Sequence, residues 1–158
     1  MEPSSASRYT TAVMGRLFAV RWRSFRLGDV ASVRQEIASA RRRVGHPLVY
    51  LSLIPASNRA FSAIEIVGLT DFVREILTQD CESIHHVIDG DGFIASARRS
   101  IITSIALASS HPKVFQVHAS LEAAIGVIAI TLGESAEELL TKARARDLEF
   151  PPKADAQL

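Results

Sequence analysis

A single cysteine, Cys81, leaves the chain without any internal disulfide, and a reducing compartment, the cytoplasm, is the simplest one for such a sequence. The first residues, Met1-Glu2-Pro3-Ser4-Ser5, show neither a basic segment nor the apolar stretch that an export signal needs. No apolar run approaches the ~20 residues of a membrane-spanning helix. The longest, Leu121 to Leu132, is broken by Glu122 and reads as a buried helix. Missing too are Gly-x-Ser-x-Gly, a glycine-rich phosphate loop and a dinucleotide fingerprint. No catalytic residue, cofactor or metal ion is therefore expected, and the chain does not read as an enzyme.

The material that is present suits one folded unit. A chain of 158 residues, 47% apolar and 22% charged, buries roughly 68–70% of its unfolded surface and is not a disordered polymer. The net charge of +1 conceals an asymmetry. Residues 1–50 hold nine arginines against three acids, a balance of +6, and the remainder holds nine basic and fourteen acidic residues, a balance of −5. Solvated helix and strand faces account for this better than a nucleic-acid surface does, because the one aromatic-rich basic stretch reads as a strand. Nucleic acid is not the expected partner.

Periodicity then divides the chain. Residues 1–8 are expected to be a disordered N-terminus, 9–150 one α/β domain and 151–158 a flexible tail, since both ends are polar and aperiodic. Tyr9 to Met14 and Arg16 to Arg23 read as strands meeting near Gly15. In the second, Phe18, Val20 and Trp22 alternate with Leu17, Ala19, Arg21 and Arg23, a period of two that separates an aromatic face from an arginine face. Asp29 is placed as the N-cap of a helix whose stripe is Val30, Val33, Ile37, Ala40 and Val44, with Gly45 as its terminator. Leu48 to Ile54 is continuously apolar, as in a strand covered on both faces. A second amphipathic helix carries Ile66, Leu69, Val73, Ile76 and Leu77. Ser83 to Ile88 is the next strand, Phe93 to about Ser109 a third helix, and Val114 to His118 a further strand. Ser120 caps a fourth helix, and Ser135 opens a fifth with acids first and bases last, as the helix dipole favours. Strands alternating with helices imply right-handed crossovers and a mostly parallel sheet.

This order resembles the STAS domain, the fold of bacterial anti-anti-sigma factors and of the cytoplasmic tails of sulfate transporters. The resemblance is carried by Leu17-Phe18-Ala19-Val20-Arg21-Trp22, Pro47-Leu48-Val49-Tyr50-Leu51, Val87-Ile88-Asp89-Gly90, Gly92-Phe93 and Ser120-Leu121-Glu122-Ala123-Ala124. It spans about Arg16 to Leu132 and is topological. It implies a mixed sheet of about five strands, mostly parallel with an antiparallel edge, and four to five helices packed mainly on one face. It implies also a regulatory module that binds a protein partner. The chain departs from the family where Asp-Ser-Ser/Thr-Gly carries a phosphorylatable serine. That position falls in Ser57-Asn58-Arg59-Ala60-Phe61-Ser62, without the acid or the glycine, so the usual phosphoserine motif is absent.

Six residues are candidates for binding a partner or ligand: Ser57, Asn58, Arg59 and Ser62 after the third strand, and Asp89 and Asp91 after the fourth. The last two sit in Asp89-Gly90-Asp91-Gly92 at the carboxyl end of a strand, where open α/β sheets bind ligands. Two carboxylates there suit a divalent cation, but the calcium loop's terminal glutamate is replaced by Ala-Arg-Arg, and Asp91 more simply caps the third helix. His85 and His86 are adjacent and point to opposite sides of a strand, so they do not chelate one ion. A small-ligand or nucleotide sensor using the loops Pro55 to Arg59 and Asp89 to Gly92 is the alternative function. The helices containing Ile101–Ala108 and Ala123–Ile130 are apolar around most of their circumference, which leaves a second side for another helix of the chain or for a homodimer or higher oligomer.

Overall fold

Each strand of the sheet carries two side-chain faces, and both are apolar here. The computed structural model describes residues 8–56, 59–108 and 114–150. Strands β1 (Tyr9–Met14), β2 (Leu17–Trp22), β3 (Leu48–Ile54), β4 (Cys81–Ile88) and β5 (Phe115–His118) form one sheet in the order of the sequence. β1 pairs antiparallel with β2 through the turn at Gly15, and every other pair is parallel. The helices are α1 (Val30–Val44), α2 (Ala63–Gln79), α3 (Gly92–Ala108), α4 (Leu121–Leu132) and α5 (Ala136–Ala145). The α/β architecture, the five-stranded mixed sheet and the antiparallel edge are as the sequence predicts.

All seven residues of β3 are buried, because the strand lies mid-sheet under helices on both sides. Leu48, Tyr50 and Ile54 join Phe18, Val20, Trp22, Ile84 and Ile88 in a core closed by α1, α2 and α3. Val49, Leu51 and Leu53 point the other way, into a second core with Leu17, Ala19 and Val87, closed by α4 and α5. The helices thus divide three to two between the faces. Consecutive parallel strands joined by right-handed crossovers place α1, α2 and α3 together. Among the described residues no strand follows α4, which lies on the opposite side. Two coverings account for its Leu121, Ala124, Ile125, Ile128 and Ala129, the sheet on one side and α5 on the other, while Ile130 is left 83% exposed.

Helix ends obey local chemistry with one exception. Ser62, Ser120 and Ser135 each accept a hydrogen bond from the backbone N–H three residues on, and Gly45 closes α1 in the left-handed region at φ 78°, where a side chain is strained. Asp29 occupies the N-cap position of α1, as expected, but its side chain makes no capping hydrogen bond. Its carboxylate instead receives Arg8 Nε and Nη2 at 2.7 and 2.8 Å, tying the start of β1 to the start of α1. The arginine face of β2 is also not a solvent face at Arg21. That side chain is buried and donates to Asp147 Oδ2 at 3.0 Å and to the Glu149 carbonyl at 2.8 Å, because the chain after α5 folds back over it.

Candidate functional site

The parallel strands β3 and β4 end side by side, so the loops that follow them lie together at the carboxyl edge of the sheet. The Asp89 N–H donates to the Ile54 carbonyl at 2.9 Å. Gly90 has φ 102°, and a Cβ there would stand 3.2 Å from the Cβ of Ala56, so the two loops touch and only glycine fits without displacement.

Two of the six candidate residues converge on a glutamate. Ser62 Oγ accepts the Glu65 N–H at 3.2 Å while Glu65 Oε1 accepts the Ser62 N–H at 2.9 Å, a reciprocal capping box. Arg59 clasps the same carboxylate with two bonds, 2.6 and 3.1 Å. The Arg59 guanidinium is the chief reason that the Glu65 carboxyl is held down to about 2, with the Ser62 donors assisting against partial burial. Ser62 therefore starts α2, and Arg59 anchors the loop before it. Ser57 and Asn58 lie outside the described residues. Asp89 borders a cavity of about 190 Å³ with Ser120, Glu122 and Glu149, and Asp91 is exposed just ahead of α3. The structure joins Arg59 to Ser62 through Glu65 and brings the two loops into contact at Ala56 and Gly90.

What pins these loops was not among the candidates. Arg98 of α3 is only 5% exposed. It donates to the Pro55 carbonyl at 2.9 Å and lies with its guanidinium carbon 4.5 Å above the Phe61 ring. Its neighbour Arg99 donates to the carbonyls of Ile88 and Gly90 at 2.8 and 2.7 Å. A guanidinium thus occupies the carbonyl oxygens that a cation at the Asp89–Gly92 turn would use. No group of three or more ligating side chains converges among the described residues. The adjacent Ala-Arg-Arg, read from sequence as a missing calcium ligand, is the positive charge of this turn.

Burial also sets the histidines. His85 Nδ1 lies 2.9 Å from His118 Nε2, with the rings stacked. His86 faces the opposite core against Tyr50 and Phe115, and neither of its ring nitrogens has a hydrogen-bond partner among the described residues. The two adjacent rings point to opposite sides, as the strand period requires. Their burial lowers His85 to about 4 and His86 to about 3.

Of the five large apolar side chains exposed among the described residues, Leu107 and Ile130 lie further along α3 and α4, and three lie near this edge among the exposed Arg59, Ser62 and Asp91. Ile64 and Val67 of α2 are 75% and 61% exposed, and Phe93 at the start of α3 is 85% exposed. α2 and α3 lie against each other, and both begin at the carboxyl edge. No helix among the described residues is long and apolar enough to cross a membrane. No family model, curated protein or solved structure matches the chain.

Proposed function

We propose that the chain is a non-catalytic, STAS-like interaction module that docks a regulatory protein through the first turns of α2 and α3. The observation that carries this reading is the exposure of Ile64, Val67 and Phe93 beside loops fixed by Arg59, Arg98 and Arg99. Large apolar side chains grouped at one edge mark a protein-binding surface, and a pinned edge loses little entropy when it binds. Affinity capture with the wild-type chain and with an Ile64→Ser, Phe93→Ser variant tests it. A protein retained by the first and lost by the second, at equal melting temperature, supports the reading. Identical retention by both overturns it.

A small-ligand sensor is the second reading. It draws on the cavity bordered by Asp89 and on one of about 260 Å³ lined by Arg21, Trp22, Arg23, Pro55 and Phe150, both at the carboxyl edge. Thermal shift against nucleotides and divalent metals separates the two. Stabilisation by one of these, lost in Asp89→Ala, favours the sensor.

A further inference from the structure

Open sheet edges are usually blunted by short length, lysine, proline or a bulge, because unpaired backbone groups invite another strand. Among the described residues the two edges of this sheet differ sharply. β5 has only four residues. β1 has six, Tyr-Thr-Thr-Ala-Val-Met, with no charge and no proline, and its register with β2 is unbroken from Tyr9 to Met14. In an antiparallel pair, every second residue of the outer strand turns its N–H and C=O away from its neighbour. The cations flanking β1 are neutralised within the chain, Arg8 by Asp29 and Arg16 by Glu82.

Beside this edge stands α5. Lys142, Ala145 and Arg146 line a cavity of about 410 Å³ together with Val13, Met14 and Glu134. Further along the helix, Glu137, Glu138 and Lys142 line a second groove of about 480 Å³. The charge on α5 is ordered, with Glu137 and Glu138 in its first turn and Lys142 and Arg144 in its last, followed by Arg146. Arg144 is taken by Glu122 and Glu149; Glu137, Glu138, Lys142 and Arg146 make no ion pair among the described residues.

We propose that a second copy of this chain adds its β1 antiparallel to β1, giving a two-fold dimer with one continuous sheet. The two-fold axis that reverses one strand against the other also reverses α5. The acidic start of one α5 then faces the basic end of the other, and the surface is self-complementary as an isologous interface requires. Paired in this way, β1 meets only uncharged side chains. This pairing places self-association at β1 and α5 rather than at the apolar helices α3 and α4, whose exposed Leu107 and Ile130 stay outside the interface. This site lies apart from the α2–α3 surface, and neither reading depends on the other.

Sedimentation equilibrium over a concentration series tests the dimer. The wild-type chain is expected to reach twice the monomer mass, less readily as salt rises. Lys142→Glu with Arg146→Glu shifts it to monomer, as does Glu137→Lys with Glu138→Lys, and mixing the two variants restores the doubled mass. A wild-type monomer at every concentration overturns the proposal, as does a dimer indifferent to both charge reversals. Hydrogen exchange of the unmodified chain gives an independent readout. Amides within Thr10–Met14 exchange more slowly as concentration rises, and rates that do not change with concentration reject the strand pairing.

Discussion

His85 and His118 share a hydrogen bond of 2.9 Å between ring nitrogens on neighbouring parallel strands. One nitrogen carries the proton and the other accepts it, so the pair is satisfied only while at least one ring is neutral. Burial and the facing ring hold His85 at about 4, and burial holds His86 at about 3. An unfolded histidine titrates near ~6.5. Between these values the unfolded chain binds more protons than the folded one, so stability rises with pH across the window and is complete above the unfolded value. Urea unfolding at a series of pH values is expected to show a loss on the order of a few kcal/mol between about pH 6.5 and 4. His86→Leu, whose side chain stays neutral among Tyr50 and Phe115, is expected to flatten part of that slope.

Removing the Ser62 hydroxyl tests the start of α2. Ser62→Ala breaks the hydroxyl half of the capping box with Glu65 and is expected to lower stability by about 1 kcal/mol. Glu65→Gln keeps much of the shape but loses the charge that Arg59 holds. Because the folded carboxyl sits at about 2, below its unfolded value, its contribution is present above ~4.3 and fades as pH falls further. The difference between wild type and Glu65→Gln should therefore shrink in acid, read from denaturation midpoints at neutral pH and below pH 3.

The two arginines of α3 should separate by role. Arg99→Ala leaves the carbonyls of Ile88 and Gly90 without their donor and is expected to cost about 1–3 kcal/mol. It should also speed hydrogen exchange at the Asp89 amide, which bonds across to Ile54. Arg98→Met keeps the packing over Phe61 and removes a buried charge that burial already disfavours, so it is expected to be milder than Arg98→Ala. Equal losses for Met and Ala would show that the bond to Pro55 outweighs the packing.

Cys81 is expected to be inert. It is buried at the start of β4, and that burial pushes its thiol up to about 12, so little thiolate forms at pH 8. A thiol-specific chromogenic reagent should label the native chain at the rate of global unfolding and label the urea-unfolded chain at once.

The strands and helices were legible because each periodicity reports a local geometry. Leu48 to Ile54 reads as a doubly covered strand and is one, and Tyr9 to Met14 agrees residue for residue. β4 begins at Cys81 rather than Ser83, since an irregular register between Leu48 and Val49 lets Cys81 pair with Leu48. The site was less legible, because its bonds run between elements. Arg98 and Arg99 sit in an unremarkable Ala-Arg-Arg, and their acceptors are main-chain carbonyls of earlier loops that carry no sequence signature. The pairing of His85 with His118, 33 residues apart, depends on the β4–β5 register. Arg21 gave the same difficulty. Its alternation with Val20 and Trp22 marks the face it lies on, but not that the segment at Asp147 covers it.

That last contact bears on how the chain is made. The acceptors of Arg21 lie 126 and 128 residues downstream, so during synthesis β2 holds a cation facing an unfinished core until the segment after α5 leaves the ribosome. Domains are assembled from the N-terminus as the chain emerges. Here α1, α2 and α3 are able to settle on their face first, while the face beneath α4 and α5 stays open with Leu17, Val49 and Leu51 uncovered. On this order the second face is expected to close last, and its apolar residues would stay open to solvent for longest as the nascent chain emerges.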